Sequence, residues 1–191
     1  MPKISLVVDA ELDVLDVGGG FDHTHVNTYF PKGRIKFLDI DPETKPDILQ
    51  DITLPFDPEY HRKFDVVFCS HVLEHIDRLK VIQTVKNLSE VLRPGGEFWV
   101  LVPSLEWAAR EILNQRSHTA VQGLLYGSQH NPYQYHKVAF TIPLLRDMLT
   151  KHGGLVIRQA YQSEIYLNYD PPVPAMQNIV IGWKPMEASH G

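Results

Sequence analysis

DVLDVGGG, residues 13–20, decides how the rest of the chain is read. A short apolar run interrupted by aspartates and ending on three glycines is a strand entering a tight turn. Gly18, Gly19 and Gly20 permit positive φ and, having no Cβ, let the backbone come close to a ligand. An ordinary strand-to-helix junction would use the same residues, so the turn alone does not distinguish the two. The next strand does. RIKFLDID, residues 34–41, ends on two carboxylates, and Asp41 lies 21 residues beyond Gly20. A carboxylate at that place and spacing accepts hydrogen bonds from both ribose hydroxyls of an adenosine-containing ligand. Asp39 competes for the role, because strand alternation puts it on the same face. Asp41 is preferred as the nearer to the open end.

Outward from this pair, short apolar runs alternate with longer segments of helical period, the order of βαβ units. DILQDI (47–52) is a weak third strand, and KFDVVFCS (63–70) is apolar enough to be buried on both faces. From Leu73 to Leu92 apolar residues recur at helical spacing, and Arg93-Pro94-Gly95-Gly96 reads as the stop. EFWVLVPS (97–104) is a further buried strand. Residues 105–116 look helical, whereas 117–137, rich in Gly, Asn, Gln, Tyr and His, reads as a long loop over one face. FTIPLLRDMLTKHGG (140–154) is a helix with Pro143 in its first turn. LVIRQAYQ and MQNIVIGWK supply two last strands, joined by the proline-enforced extended segment YDPPVPA. The expected architecture is α/β: a Rossmann-like, doubly wound, mostly parallel sheet of about seven strands with helices on both faces and an antiparallel last strand.

Composition bounds the function. The 191 residues are 43% hydrophobic and 21% charged, which suits one ordinary domain over 1–191. A formal charge of −5 with no long Lys/Arg run disfavours a nucleic-acid partner. One cysteine, Cys69, allows no internal disulfide, the N-terminus lacks the apolar stretch of a signal peptide, and no apolar run is long enough to span a membrane. A cytoplasmic location is the expectation.

After Gly20 the chain departs from the dinucleotide pattern G-x-G-x-x-G, continuing Phe21-Asp22-His23-Thr24. An acid in this turn repels pyrophosphate but neutralises an α-ammonium group. That favours a cationic adenosyl ligand over NAD.

LDVGGG, LDID, LQDI, FDVVFCSHVLEHI and LRPGGEFWVLVPS, in this order, resemble the class I S-adenosylmethionine-dependent methyltransferases over roughly residues 12–104. Five motifs in the right order are far more specific than any one of them. The segment 124–154 more loosely resembles small bacterial methyltransferases of sugars or cell-surface glycan precursors. The resemblance implies that Asp16, Gly18 and Gly20 line the methionine end of S-adenosylmethionine, with S-adenosylhomocysteine as product. It implies that Asp41 holds the ribose, with Ile40 and Pro42 near the adenine. Asp51 would receive the adenine amine, Ile52 would offer a backbone amide, and Ser70 and His71 would follow the fourth strand beside the methyl donor. Asp22 stands where many members have a third glycine, and it tolerates left-handed backbone better than most residues. Many members also carry a helical segment before the first strand. Here residues 105–137 are the expected substrate-side lid, or a second subunit of a homodimer closes the site.

CSHVLEHI (69–76) contains H-x-x-E-H: His71, Glu74 and His75. Two imidazoles flanking a carboxylate could hold zinc in a hydrolase, with His136 as a further ligand. The motif abuts a buried strand, which puts His71 in the turn and makes the spacing an accident of a strand-to-helix junction, so no metal is expected. On this reading Glu74 complements a helix N-terminus. Of the ten histidines, His61, His118, His152 and His190 have no assigned role, and His23 and His25 flank the glycine turn. His136, in QHNPYQYHK with Tyr126, Tyr133 and Tyr135 nearby, is the candidate general base for an acceptor hydroxyl, alongside His71. A third reading is a methyltransferase fold without activity, serving as a binding protein. Intact Asp16, Gly18, Gly20, Asp41 and Asp51 argue against that. The expected function is methyl transfer to a small molecule, a saccharide or glycan precursor among the candidates.

Overall fold

The computed structural model describes residues 7–186 apart from 22, 23, 117 and 168–171. Asp22, His23, His190 and the first part of YDPPVPA fall outside the described residues. Seven strands, β1 (Asp13–Val17), β2 (Arg34–Asp39), β3 (Ile48–Leu49), β4 (Phe64–Ser70), β5 (Leu92–Pro103), β6 (Val156–Leu167) and β7 (Val173–Trp183), form one sheet in the order β3-β2-β1-β4-β5-β7-β6. The pairs from β3 to β5 are parallel, and β7 runs antiparallel to both β5 and β6. This is the expected mixed, doubly wound sheet. Chain order reverses between β1 and β4, so the crevice beyond their carboxyl ends is where such a sheet binds ligands.

Alternation along the central strands sends side chains into two cores. Leu15, Val17, Val67, Cys69, Val100 and Val102 point one way, to meet α2 (Val81–Glu90) through Val85 and Leu88 and α5 (Ile142–Lys151) through Leu145 and Leu149. Val14, Val66, Phe68, Trp99 and Leu101 point the other way, against Val26 of α1 (Thr24–Tyr29) and Phe30. A third, smaller cluster packs α3 (Leu105–Leu113) and α4 (His118–Tyr126) over Ala175 of β7.

Three expectations are corrected. The apolar stripe from Leu73 to Leu92 is not one helix. Residues Leu73–His75 make a 3₁₀ turn, Ile76 is extended, and α2 begins only at Val81, so Leu79 lies exposed while Leu92 already belongs to β5. Arg93-Pro94-Gly95-Gly96 therefore lies inside a strand and stops nothing, and Arg93 pairs with Asp13 and Asp65 at 3.0 and 2.9 Å. Nor is 117–137 a single loop. Ala120, Val121 and Leu124 give α4 a buried side against α3, and the irregular chain starts after Tyr126.

Candidate functional site

The carboxyl ends of β1, β2 and β4 open onto a cleft of about 430 Å³, within the range of small-ligand sites. Its floor is the glycine turn. Gly18 has φ +67° and Gly20 φ +60°, both left-handed. A Cβ on Gly18 would stand 2.6 Å from Val72 Cγ2, whereas one on Gly20 would meet nothing within 4 Å. The first glycine is thus required by packing as well as by backbone, and the second leaves open space toward the cleft. Asp16, at the end of β1, is almost fully buried and is not among the residues lining the cleft.

Asp39, the last residue of β2, turns its carboxylate to the glycine turn: Oδ2 accepts from the Gly20 amide at 3.2 Å and Oδ1 from the Asp41 amide at 3.0 Å. Asp41 is instead the cap of a 3₁₀ turn over Pro42–Thr44, its Oδ1 accepting from the Glu43 amide at 3.0 Å. Both line the cleft. The strand stops at Asp39, so Asp41 no longer belongs to an alternating segment and is spent on a local turn.

Asp51 and Ile52 line the far wall with Gln50 and Thr53. The Asp51 carboxylate accepts from the Thr53 amide at 2.9 Å, and the Ile52 side chain is buried in the core. This wall has a support that sequence reasoning missed: Asn87, buried on α2, donates from Nδ2 to the Ile52 and Leu54 carbonyls at 3.0 and 2.9 Å. An amide side chain at an inward position of the helix, beside Val85 and Leu88, is the signal that could have found it.

At the end of β4 the two expected neighbours part. Ser70 lies on the α1 side, its Oγ 3.1 Å from Nδ1 of His25, and does not line the cleft. His71 does line it, at φ +55° in the turn and outside any helix. Its Nε2 is 2.9 Å from Gln177 Oε1, and its Nδ1 is 3.2 Å from Glu74 Oε1. Burial works against the His71 imidazolium, but the adjacent Glu74 carboxylate and Gln177 outweigh it and raise the pKa. Glu74 is 1% exposed and belongs to the 3₁₀ turn, so it complements no helix N-terminus. Burial opposes its charge too, and the imidazoles of His71 and His75 reverse that and lower its pKa. His71, Glu74 and His75 do not converge on one point. Among the described residues, Glu74, His75 and His136 bring their ligand atoms within 4.8 Å of one another.

His136 is half-buried beneath the loop after α4, with Nδ1 2.8 Å from the Leu124 carbonyl. Burial lowers its pKa. The loop is pinned by main-chain bonds from Lys137 and Val138 to the Glu74 carbonyl. Asn131, Pro132, Tyr133, Gln134 and Lys137 thereby form the outer wall of the cleft. Of the described residues in 105–137, only this last part borders it.

The sheet order, the glycine turn and an acid at the end of the second strand are the framework of an adenosyl-ligand site, and the family comparison agrees. A family model described as a methyltransferase domain matches residues 3–153. The chain belongs to this methyltransferase domain family. It is accordingly a methyltransferase, and S-adenosylmethionine is the methyl donor of its class. Solved structures share the fold at low identity. A SAM-dependent methyltransferase from Methanosarcina mazei is 16% identical with a TM-score of 0.64, covering 94% of this chain and 95% of that one. A Burkholderia thailandensis 1,6-didemethyltoxoflavin-N1-methyltransferase, with 1,6-didemethyltoxoflavin and S-adenosylhomocysteine bound, is 16% identical at TM-score 0.62, covering 92% and 72%. The N-methyltransferase NodS from Bradyrhizobium japonicum is 14% identical at 0.61, covering 92% and 88%. Among curated proteins no significant sequence match was found. Among the described residues no helix is long and apolar enough to cross a membrane.

Proposed function

We propose that the cleft holds S-adenosylmethionine at its sheet side and a small-molecule acceptor beneath the 131–137 loop. When bound, the donor supplies an electrophilic methyl carbon on a sulfonium. The chain's own task is to hold the two partners at near-attack distance, which for an in-line displacement supplies most of the acceleration. Gly18 and Gly20 admit the methionine end. Asp39, with Asp41 beside it, accepts from the ribose hydroxyls, Asp51 and the Ile52 amide meet the adenine edge, and Ile40 offers an apolar face. The observation that carries this reading is the Asp39 carboxylate aimed into the glycine turn.

The acceptor side supports a small polar molecule. Asn131, Tyr133, Gln134 and Lys137 offer amides, a phenol and a cation in one short loop, a set suited to a hydroxylated acceptor such as a saccharide or a glycan precursor. Because this loop belongs to the same chain as the floor, closure does not call for a second subunit. His71 and His136 are the candidate bases for an acceptor hydroxyl. Calorimetric titration with S-adenosylhomocysteine tests the cofactor part of the reading. One-to-one binding that Asp39→Ala abolishes is expected, and no heat at millimolar ligand sinks it.

A further inference from the structure

We infer that Glu74, His75 and His136 form a binding site for one divalent transition-metal ion of the Zn²⁺ type, at the acceptor end of the cleft. Each offers a ligand atom, and these atoms lie within 4.8 Å of one another. Ligands around tetrahedral zinc at about 2.1 Å stand about 3.4 Å apart, so small side-chain rotations close the set.

The hydrogen bonds around the cluster argue for a metal more strongly than the distances do. Nδ1 of His75 is 3.1 Å from the Tyr135 carbonyl and Nδ1 of His136 is 2.8 Å from the Leu124 carbonyl. A carbonyl can only accept, so both Nδ1 atoms carry the proton. In that tautomer each ring presents a lone pair at Nε2. This is the arrangement that fixes tautomer and orientation in metal-ligating histidines. The two rings meet edge to face with centroids 4.8 Å apart. Glu74 is 1% exposed, and neither carboxylate oxygen has a well-formed hydrogen-bond partner. The His71 imidazole faces Oε1 but leaves Oε2 without a partner, and a metal ion would complete the buried carboxylate there. His71, whose Nδ1 is 3.2 Å from Glu74 Oε1, orients this carboxylate from the other side.

Two histidines and one carboxylate suit zinc and its first-row neighbours better than calcium or magnesium. Three protein ligands leave a coordination position open, the pattern of a site that takes a substrate. His75 borders the cleft, as do Tyr133 and Gln134 from the loop that carries His136. The open position therefore suits an oxygen of the acceptor, such as a hydroxyl or carbonyl. The metal site itself does not rest on the proposed methyl transfer, but this use of it does.

The test is calorimetric titration of chelator-treated protein with ZnCl₂ alone, paired with Co²⁺ as a spectroscopic probe. One equivalent should bind, and Co²⁺ should give the intense visible bands of a four- or five-coordinate site. His75→Asn, His136→Asn and the isosteric Glu74→Gln should each weaken Zn²⁺ binding by roughly tenfold or more and remove the Co²⁺ bands. Zn²⁺ should raise the Tm of the wild type and not of the variants. Absence of saturable binding overturns the inference, as does wild-type affinity in all variants that remain folded, which would mark adventitious binding to surface histidines. S-adenosylhomocysteine titration of the metal-free protein reports separately on the cofactor reading, so the two can fail independently.

Discussion

The Asp39 carboxylate accepts a hydrogen bond from the Gly20 amide at 3.2 Å, which ties the end of β2 to the turn that follows β1. Two backbone segments that approach a ligand from different strands are thus held in fixed relation before any ligand arrives. Such preorganisation lowers the cost of binding.

Asp39→Ala should remove both this tie and two ribose hydrogen bonds. A charge-assisted bond is worth about 1.5–3 kcal/mol, so S-adenosylhomocysteine affinity should fall roughly a hundredfold. Asp41→Ala loses mainly a turn cap, about 1 kcal/mol of local stability, and should change affinity by only about threefold. Calorimetry on the two variants separates them. The reverse ranking would return the role to Asp41.

Gly18→Ala is expected to fail on two counts. Left-handed backbone costs an alanine about 1–2 kcal/mol, and the new Cβ stands 2.6 Å from Val72 Cγ2. Val72→Ala in the same chain should recover the steric part and leave the backbone part. Thermal unfolding of the single and double variants gives the division, and equal Tm values for the two would mean that Val72 already moves aside.

How much of this was legible in the sequence depended on whether a signal was local. β4 and the second half of β5 announce themselves because strands buried on both faces must be almost continuously apolar. The glycine turn was visible for the same reason, since the residue type itself encodes the backbone. The break between Leu73 and Val81 was not, because an apolar stripe is satisfied equally by a helix and by a 3₁₀ turn that drops Leu73 into the core. Asp39 and Asp41 share strand parity, and only the place where the strand ends tells them apart. The meeting of His75 with His136 joins residues 61 positions apart through a loop register that no short motif records.

Glu106 sets a pH limit. Its carboxylate accepts from the Ile142 amide at 2.6 Å, Asn178 Nδ2 at 2.8 Å and Ser104 Oγ at 3.1 Å, joining α3 to α5 and β7. Burial alone would raise its pKa, but these donors outweigh it and hold the pKa below the usual value. A group depressed in the folded state contributes stability above its unfolded pKa, and this is lost as pH falls through the folded one. Glu106→Gln should therefore flatten the acid limb of a Tm-against-pH curve below about pH 5. An unchanged slope would show that other carboxylates govern acid unfolding.

Asn87 offers the test furthest from the ligand. It does not itself line the cleft, yet its amide holds the Ile52 and Leu54 carbonyls and so shapes the wall proposed for adenine. Asn87→Ala strands two carbonyls and should cost about 1–3 kcal/mol of stability. If the wall depends on it, S-adenosylhomocysteine affinity should also fall, by roughly threefold to tenfold. Asn87→Asp keeps the size but sets a carboxylate against two carbonyls, and should be at least as damaging. Loss of Tm with unchanged affinity in both variants would make Asn87 a structural residue of α2 and no positioning residue of the site.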